Sequence, residues 1–418
     1  MAVIRVRAGR VTCDRRGMTL IPGITIRSAT DDDVAAIELL GDTSFGMRGE
    51  PEYAELRAQV FPTEEAIVAI DDGRVVGHAR STRMTLTVPG ERTVEACGIA
   101  GVGVAPTHRR RGILRAIYTE QHQRTEAAGL PLTIFTASQG AIYGRFGYGP
   151  TIRQNAVSID RRFVEFLPSA PDPGGVVLST VADAGEPLRA IYDRWRRLVP
   201  GAQARPEARW QMDLSDSPAF RDGGTELFAF LHPDGYVLYR YHRREQGKSA
   251  VVEEMRAVTP EAQIALWRAL FGLELCSHVE AAITDNDPLP YLLTDLRLVR
   301  TKARFDDMWL RLMDVPAALT ARSYLHDLDV VLAVQDPFRN AGGTFALTVR
   351  DGIAECTPTT RPPDFELGID VLASMYLGAY PARVFAAANR LQAKDAAQLR
   401  TLDEAFGAER DAVLGWFF

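Results

Sequence analysis

The chain has 418 residues, 46% of them hydrophobic and 24% charged, with 48 Lys and Arg against 54 Asp and Glu for a formal net charge of −6. That length exceeds one ordinary core, which stops growing beyond ~250 to 300 residues, so two or three domains are expected and a largely disordered chain is excluded. The acidic balance argues against a nucleic-acid-binding surface, which needs clustered positive charge, and no apolar run reaches the ~18 to 20 residues of a membrane span.

The first 17 residues, MAVIRVRAGRVTCDRRG, are basic and lack an apolar h-region with a small-residue cleavage site. They read as the core of a flexible extension, 1–23, or as an artefact of start-site choice, rather than as a secretory signal. Ile24 to Arg27 then reads as a strand, and Ser28, Thr30 and three aspartates predict a helix starting near Asp32. Two β-rich runs flank Asp71-Asp72-Gly73, a hairpin signal. IAGVGVAP is a further strand, followed by a helix to Gly129 and the strand LPLTIFTAS. This order predicts an α/β domain over 24–158. The cysteines, Cys13, Cys97, Cys276 and Cys356, are scattered without a CxxC pair. They read as free thiols of a cytoplasmic protein, with no metal site.

A similar order returns over 159–304. VADAGEPLRAIYDRWRRLVPG reads as a capped helix, LFAFLHPDGYVLYRYHRR as a hairpin about Pro233-Asp234-Gly235, and VVEEMRAVTPEAQIALWRALFG as a strand and helix. Thr259 supplies the cap of that helix, Pro260 its first position and Gly272 its exit. The second copy has no arginine-rich turn between strand and helix. From 305 onward the pattern changes to WLRLMDVPAAL, the strand-like FALTVRDGIAECTP and three helical stretches, ending on Trp416, Phe417 and Phe418. Burying such side chains yields ~1.5 to 3 kcal/mol each, which predicts a docked tail whose carboxylate is carried inside.

The feature that calls for chemistry is GVGVAPTHRRRGILRAIY, 101–118. A strand delivers the chain to a turn whose free amides open a helix, and that arrangement attracts anions. Arg109, Arg110 and Arg111 add phosphate-binding forks, and Gly112 lets the backbone approach a diphosphate. The stretch is neither a P-loop nor a dinucleotide fingerprint, since GxxxxGK[ST] and GxGxxG are absent. On these residues alone a solvated basic helix end stands as an equal alternative.

The flanking residues resemble the Gcn5-related N-acetyltransferases, whose acetyl-CoA signature is a valine-rich strand followed by R/Q-x-x-G-x-G/A. Here Arg109-Arg110-Arg111-Gly112-Ile113-Leu114 follows it, with Leu114 where the family has a small residue. Ile142-Tyr143-Gly144-Arg145-Phe146-Gly147-Tyr148 resembles the second signature of that superfamily. VAPTHRRRG, ASQGAIYGRFGYGPT, LHPDGYVLYR, DPLPYLLTDLRL, AANRL and the terminal Phe together resemble the enhanced intracellular survival (Eis) acetyltransferases of actinobacteria, over nearly the whole chain.

The resemblance implies an α/β (α+β) fold: tandem Gcn5-related acetyltransferase folds, the second degenerate, and a sterol-carrier-protein-like domain over 305–418. It implies acetyl-CoA as cosubstrate, no metal, a homohexamer, and an acceptor that is a small cationic amine, such as an aminoglycoside, or a lysine-bearing peptide, with no nucleic-acid or membrane partner. It places the thioester and pantetheine along Val102, Gly103 and Val104, the diphosphate on Arg109, Arg110, Arg111, Gly112, Ile113, Leu114 and Arg115, and Ser138 and Gln139 at the opposite strand end. For Val102 and Val104 plain core packing is the competing reading.

By the same resemblance Tyr143 is the general acid, and its phenol, pKa ~10, can donate to a thiolate. The resemblance also gives the terminal carboxylate of Phe418 the role of base, with a merely sticky terminus as the alternative; an α-carboxylate titrates near ~3.5 in water and burial raises that value. Phe417 stands where an acidic neighbour is associated with the family. His108 is expected to face solvent, His122 to lie far from the transfer point, and Tyr148 to be structural. Asp42, Glu50 and Glu52 are either lining for a cationic amine or an ordinary solvated loop. A non-catalytic acyl-CoA or lipid-binding protein is the competing function.

Overall fold

The computed structural model describes residues 12–13, 19–46, 49–245 and 247–418. Of the N-terminal extension, residues 1–11 and 14–18 lie outside the described residues. Each of the three units carries its own sheet, and the interfaces between them carry the site.

The first unit opens with β1 (Ile24–Ser28), α1 (Val34–Phe45) and α2 (Ala54–Val60). The three aspartates form a single 3₁₀ turn before α1, where Asp33 pairs with Arg27 at 2.6 Å and accepts from the Thr30 amide at 2.9 Å. Hydrogen bonding to Arg27 holds the Asp33 carboxyl down at about 2. The strands β2 (Ile67–Asp71) and β3 (Arg74–Val88) are joined by Asp72 and Gly73, both at positive φ, the two-residue turn the sequence predicts. Next come β4 (Arg92–Val104), α3 (Ile113–Ala127), β5 (Leu132–Phe135) and the short β6 (Gly149–Pro150).

The second unit repeats this order. After β7 (Arg153–Asp160) it runs β8 (Val177–Thr180), α4 (Val181–Leu198), α5 (Glu207–Leu214), β9 (Phe228–His232), β10 (Gly235–Arg244) and β11 (Gly247–Ala257). Then follow α6 (Pro260–Phe271), β12 (His278–Ile283) and β13 (Arg300–Asp306). As β4 pairs in parallel with β5, so β11 pairs in parallel with β12. The Thr259 side chain caps α6 by accepting from the Ala262 amide, with Pro260 at its first position. Only Val258 and Thr259 separate strand from helix, so there is no loop for a diphosphate.

The strand β14 (Trp309–Leu312) corrects the sequence reading. WLRL belongs with the C-terminal segment by sequence, yet it pairs antiparallel with β5 and β6 in the first sheet, with Leu310 opposite Ile134. The third unit follows as α7 (Val315–Ala321), then a five-stranded sheet of β15 (Leu328–Gln335), β16 (Gly343–Arg350), β17 (Ile353–Pro358), β18 (Phe365–Gly368) and β19 (Leu391–Ala393). The predicted helical stretches form α8 (Ile369–Met375), α9 (Ala382–Ala387) and α10 (Ala396–Phe406).

One buried cluster runs from Leu86 and Ile134 through Trp195 and Trp210 to Leu347 and Phe406, so the three units share a core. Arg311 on β14 seals one junction. Its guanidinium donates to the Phe146 carbonyl at 2.6 Å and pairs, fully buried, with Asp336 of the third unit. A Cβ at Gly147, which sits at φ +83, would stand 1.7 Å from that guanidinium.

Candidate active site

The parallel pairing of β4 with β5 ends at Gly98 opposite Ile134. Beyond that point Ile99–Val104 and Phe135–Ser138 part, and the backbone of Val102 and Val104 is released from this neighbour. A bulge opposite His78–Arg80 and a left-handed Gly101, φ +58, turn the strand at the split. A Cβ at Gly103 would come within 2.9 Å of Ser44 Oγ, so glycine permits the close packing there. The side chains of Val102 and Val104 pack on the α3-side core. Core packing and strand exposure therefore coexist at these two residues: the side chains are structural and the backbone is what the split leaves free.

Past Val104 the chain makes a 3₁₀ turn over Pro106–His108, takes Arg110 through φ +62 and enters α3 from Gly112 at φ +90. The first helical bond is Ala116 N–H to the Gly112 carbonyl, 3.0 Å, so the amides of Ile113, Leu114 and Arg115 precede the ladder and face the turn. The arginines divide. Arg111 is held by Asp71 at 2.9 Å, and the same carboxylate meets His108 Nε2 at 3.1 Å. The Arg111 hydrogen bond holds that carboxyl below its usual range. Arg109 and Arg110 are exposed and make no ion pair among the described residues.

The seven residues expected around the diphosphate differ in what their side chains do. Arg111 is occupied on the β2 hairpin, Ile113 is core and Leu114 packs on the core; Arg115 stacks over Phe338 of the third unit at 5.0 Å. From these last three only the amides face the turn. His108 is a hairpin tether rather than a solvent group. His122 is buried with Nε2 2.9 Å from the Tyr148 hydroxyl, which also accepts from Thr133, so both are structural.

Tyr143 lies in the short turn after β5, buried against Phe135 (ring centroids 4.4 Å apart) and Trp309 (6.2 Å). Burial raises its phenol above the usual value, and a hydrogen bond with Ser138 partly offsets this, so it stays protonated at neutral pH. Ser138 and Gln139 are exposed at the strand end.

The tail does come inside, with one exception. Trp416 is 4% exposed, and its ring N–H donates to the Ala204 carbonyl at 3.1 Å. The Gly415 amide donates to Gln203 Oε1, Arg205 reaches the Gly415 carbonyl at 2.9 Å, and Arg256 reaches it at 2.8 Å. Phe417, expected to dock, is 67% exposed. Phe418 packs between two cores, and its terminal carboxylate accepts from Thr136 Oγ1 at 2.7 Å. That threonine, one residue past β5, was not found from sequence: nothing local marks it as the partner of a group 282 residues away.

A cavity of about 1170 Å³ opens beside this point, lined by Ala100 and Gly101 of β4, by α2, by the second unit and by the tail through Phe418. Tyr143 and the arginine turn lie outside its lining, so the split strand separates a cavity side from an arginine-turn side. Asp42, Glu50 and Glu52 are not in the lining; the Asp42 carboxylate accepts from the Gly49 amide. The acidic lining comes instead from Asp213, Asp216, Glu253, Glu254, Asp287, Asp307, Glu409 and Asp411, which sequence reasoning did not single out. Burial pushes the carboxyls of Asp287 and Asp307 up to about 6.

A split parallel pair, a helix-opening turn with free amides, a buried tyrosine beside the split and a large second cavity define a Gcn5-related N-acetyltransferase, a class that draws its acetyl group from acetyl-CoA. Residues 25–151 match the acetyltransferase (GNAT) domain family, 201–312 a second acetyltransferase (GNAT) domain family and 315–415 the sterol carrier protein domain family. The N-acetyltransferase Eis of Mycobacterium tuberculosis is 45% identical over 397 residues, 92% of this chain and 97% of that protein. An uncharacterized N-acetyltransferase of Streptomyces avermitilis is 33% identical over 391 residues, 89% of this chain and 93% of that protein. Among solved structures, Eis1 of Mycobacterium abscessus superposes with a TM-score of 0.83 at 30% identity, over 94% of this chain and all of that one. A GCN5-related N-acetyltransferase of Anabaena variabilis shares the fold, with a TM-score of 0.81 at 21% identity, over 94% of this chain and all of that one.

The chain belongs to the Eis family of N-acetyltransferases. It is an enzyme, which sets aside the non-catalytic alternative. Among the described residues no helix is long and apolar enough to cross a membrane.

Proposed function

We propose that the chain transfers the acetyl group of acetyl-CoA directly to amino groups of cationic acceptors, aminoglycosides at one or several positions or lysine side chains, as a cytoplasmic homohexamer. The units act as a catalytic domain, 24–158, a degenerate copy, 159–304, and a sterol-carrier-like domain, 305–418, that delivers the base. The observation that carries this reading is the Phe418 carboxylate held by Thr136 at the strand split, on the wall of an acid-lined cavity.

In this reading the backbone of Val102, Gly103 and Val104 receives the pantetheine and thioester. The amides of Gly112, Ile113, Leu114 and Arg115 and the forks of Arg109 and Arg110 receive the diphosphate, with Arg111 bracing the turn and Ser138 and Gln139 at the far strand end. The Phe418 carboxylate takes a proton from the amine as the C–N bond forms. Tyr143 gives its proton to the sulfur as the C–S bond breaks, so CoA leaves as the thiol. The test is thiol release from acetyl-CoA across aminoglycosides, polyamines and lysine peptides. Turnover of at least one class is expected, and absence of turnover with all three refutes the reading.

A further inference from the structure

The second unit lacks the arginine turn but keeps another part of the plan. Its parallel pair, β11 with β12, ends at Val251 opposite Glu280, and just beyond it a bulge against β10 leaves Glu253 without an opposite residue. The first unit has the same two features in the same order on β4. Residues 252–257 and 281–284 therefore part as the two arms of a second split.

This second split is open. Both arms line the large cavity, and they do so from both faces of the sheet: Ala281 and Ile283 belong to the core under α6, while Ala282 between them is exposed. The cavity thus passes between the arms as far as Trp267 on α6, which is 1% exposed and whose ring N–H has no acceptor among the described residues. Among the described residues no backbone hydrogen bond joins the arms there. The tail runs past without filling the gap. Arg256 holds the Leu414 and Gly415 carbonyls through its side chain, at 3.0 and 2.8 Å, and among the described residues no tail backbone group bonds to the backbone of either arm.

A strand edge with free N–H and C=O groups is completed by another extended chain that carries amides at the same spacing. With only Val258 and Thr259 between strand and helix, there is no turn here for the diphosphate of a second CoA. Asp287 accepts from Gln263 and Asp411 from Asn286, and neither meets a cationic side chain among the described residues, so this end of the cavity favours positive charge. Three residues, up to ~10 Å, separate Gly415 at the second split from Phe418 at the first, a gap that two or three residues of an extended chain span. We propose that the second split binds the backbone of an extended, basic stretch of a polypeptide acceptor, adding it as a short strand between β11 and β12, while a lysine two or three residues along reaches the first split. This rests on the acetyl-transfer reading above and gives the second unit a part in choosing the acceptor, a chain recognised through its amides.

The experiment follows thiol release with Nα-acetyl-lysine amide, which has no flanking chain, and with capped alanine and arginine peptides carrying one lysine and two or four residues on either side. In the wild type the best peptide with a four-residue flank should exceed the capped lysine in kcat/KM by about tenfold or more. Methylating single amide nitrogens in that flank, which leaves charge unchanged and needs no protein variant, should cost about three- to tenfold at alternate positions and little between them, the period of an extended chain. Ala282→Phe, which fills the split, should bring the peptide to within about threefold of the capped lysine, with the capped-lysine rate and acetyl-CoA affinity by titration unchanged. Trp267→Phe, which removes the unpartnered N–H, should raise the KM of the peptide alone. Rates independent of the flank, N-methylation without effect at every position, or a peptide preference that survives Ala282→Phe overturns the inference and leaves acetyl transfer intact. Turnover of aminoglycosides or polyamines with none of any lysine peptide does the same. No turnover with any amine overturns both readings together.

Discussion

Removing Phe418 separates the proposed base from everything else that holds the tail. The new terminus would be Phe417, whose side chain is exposed, and the carboxylate would retreat by up to ~3.5 Å, the span of one extended residue. A base works within a hydrogen bond of ~2.6 to 3.2 Å, so the displacement exceeds its whole reach, and the 2.7 Å bond from Thr136 is lost with it. Positioned proton transfer contributes about 10²- to 10⁴-fold, so kcat/KM should fall by that factor, a barrier increase of ~2.7 to 5.5 kcal/mol. The fold should survive, because Gly415 and Trp416 keep their bonds to Gln203, Ala204, Arg205 and Arg256. Acetyl-CoA affinity should stay within about twofold, since the arginine turn does not touch the tail. A second variant with one glycine added after Phe418 keeps the ring and moves only the carboxylate. Thiol release under single-turnover conditions reports the chemical step and equilibrium titration reports cosubstrate binding. If both variants retain turnover within about threefold of wild type, the terminal carboxylate is not the base.

Tyr143→Phe should lower kcat by about 10²-fold or more with acetyl-CoA binding unchanged, because burial keeps the phenol protonated and available as a donor; an unchanged single-turnover rate removes it from the mechanism. Arg109→Ala and Arg110→Ala should each weaken acetyl-CoA binding by roughly tenfold, the scale of one charge-assisted contact, and more at low salt than at high; titration against ionic strength checks both. His78 is buried under Gly101 and Gly103 with neither ring nitrogen hydrogen-bonded, and burial lowers its pKa to about 3. The unfolded chain takes up that proton near ~6.5, so the stability it confers is complete above that pH and is lost as pH falls toward 3, at ~1.4 kcal/mol per pH unit. Asp287 and Asp307, raised to about 6, act in the opposite sense between 6 and 3.8, but they are common to both chains compared. Urea unfolding of wild type and His78→Leu should therefore show the variant losing ~2 kcal/mol less between pH 7 and pH 5, and equal losses would refute the assignment.

The parts legible in the sequence are those written in contiguous residues. The Asp72-Gly73 turn, the Thr259-Pro260 helix start and the arginine turn each depend on neighbours within a few positions, and each appears where its local chemistry demands. Long-range pairing left no such mark. WLRL reads equally well as a strand of any sheet, and only packing assigns it to β5 and β6. Arg111 looks as free as Arg109 until the β2 hairpin brings Asp71 to it. Thr136, Gln203 and Arg205 hold the tail, yet a threonine after a strand and a glutamine before a helix are common features with no special spacing.

The second unit shows how a duplicated fold has been put to another use. Its strand-to-helix link is only Val258 and Thr259, and the Ala262 amide is taken by the Thr259 side-chain cap, so it lacks the turn to which diphosphate binding is assigned in the reading proposed for the first unit. What it retains is rigidity: a sheet whose cavity-facing arginines and carboxylates are locked together by Arg205, Arg240 and Glu254. It uses that rigidity twice. Asp216, Glu253 and Asp287 supply one wall of the cavity, and Gln203, Arg205 and Arg256 grip the tail just before it reaches Thr136. Since the tail starts in the third unit, is held by the second and ends against the first, a loosened interface at any of the three displaces Phe418 without disturbing the arginine turn. Damage far from β4 is thus expected to uncouple cosubstrate binding from transfer.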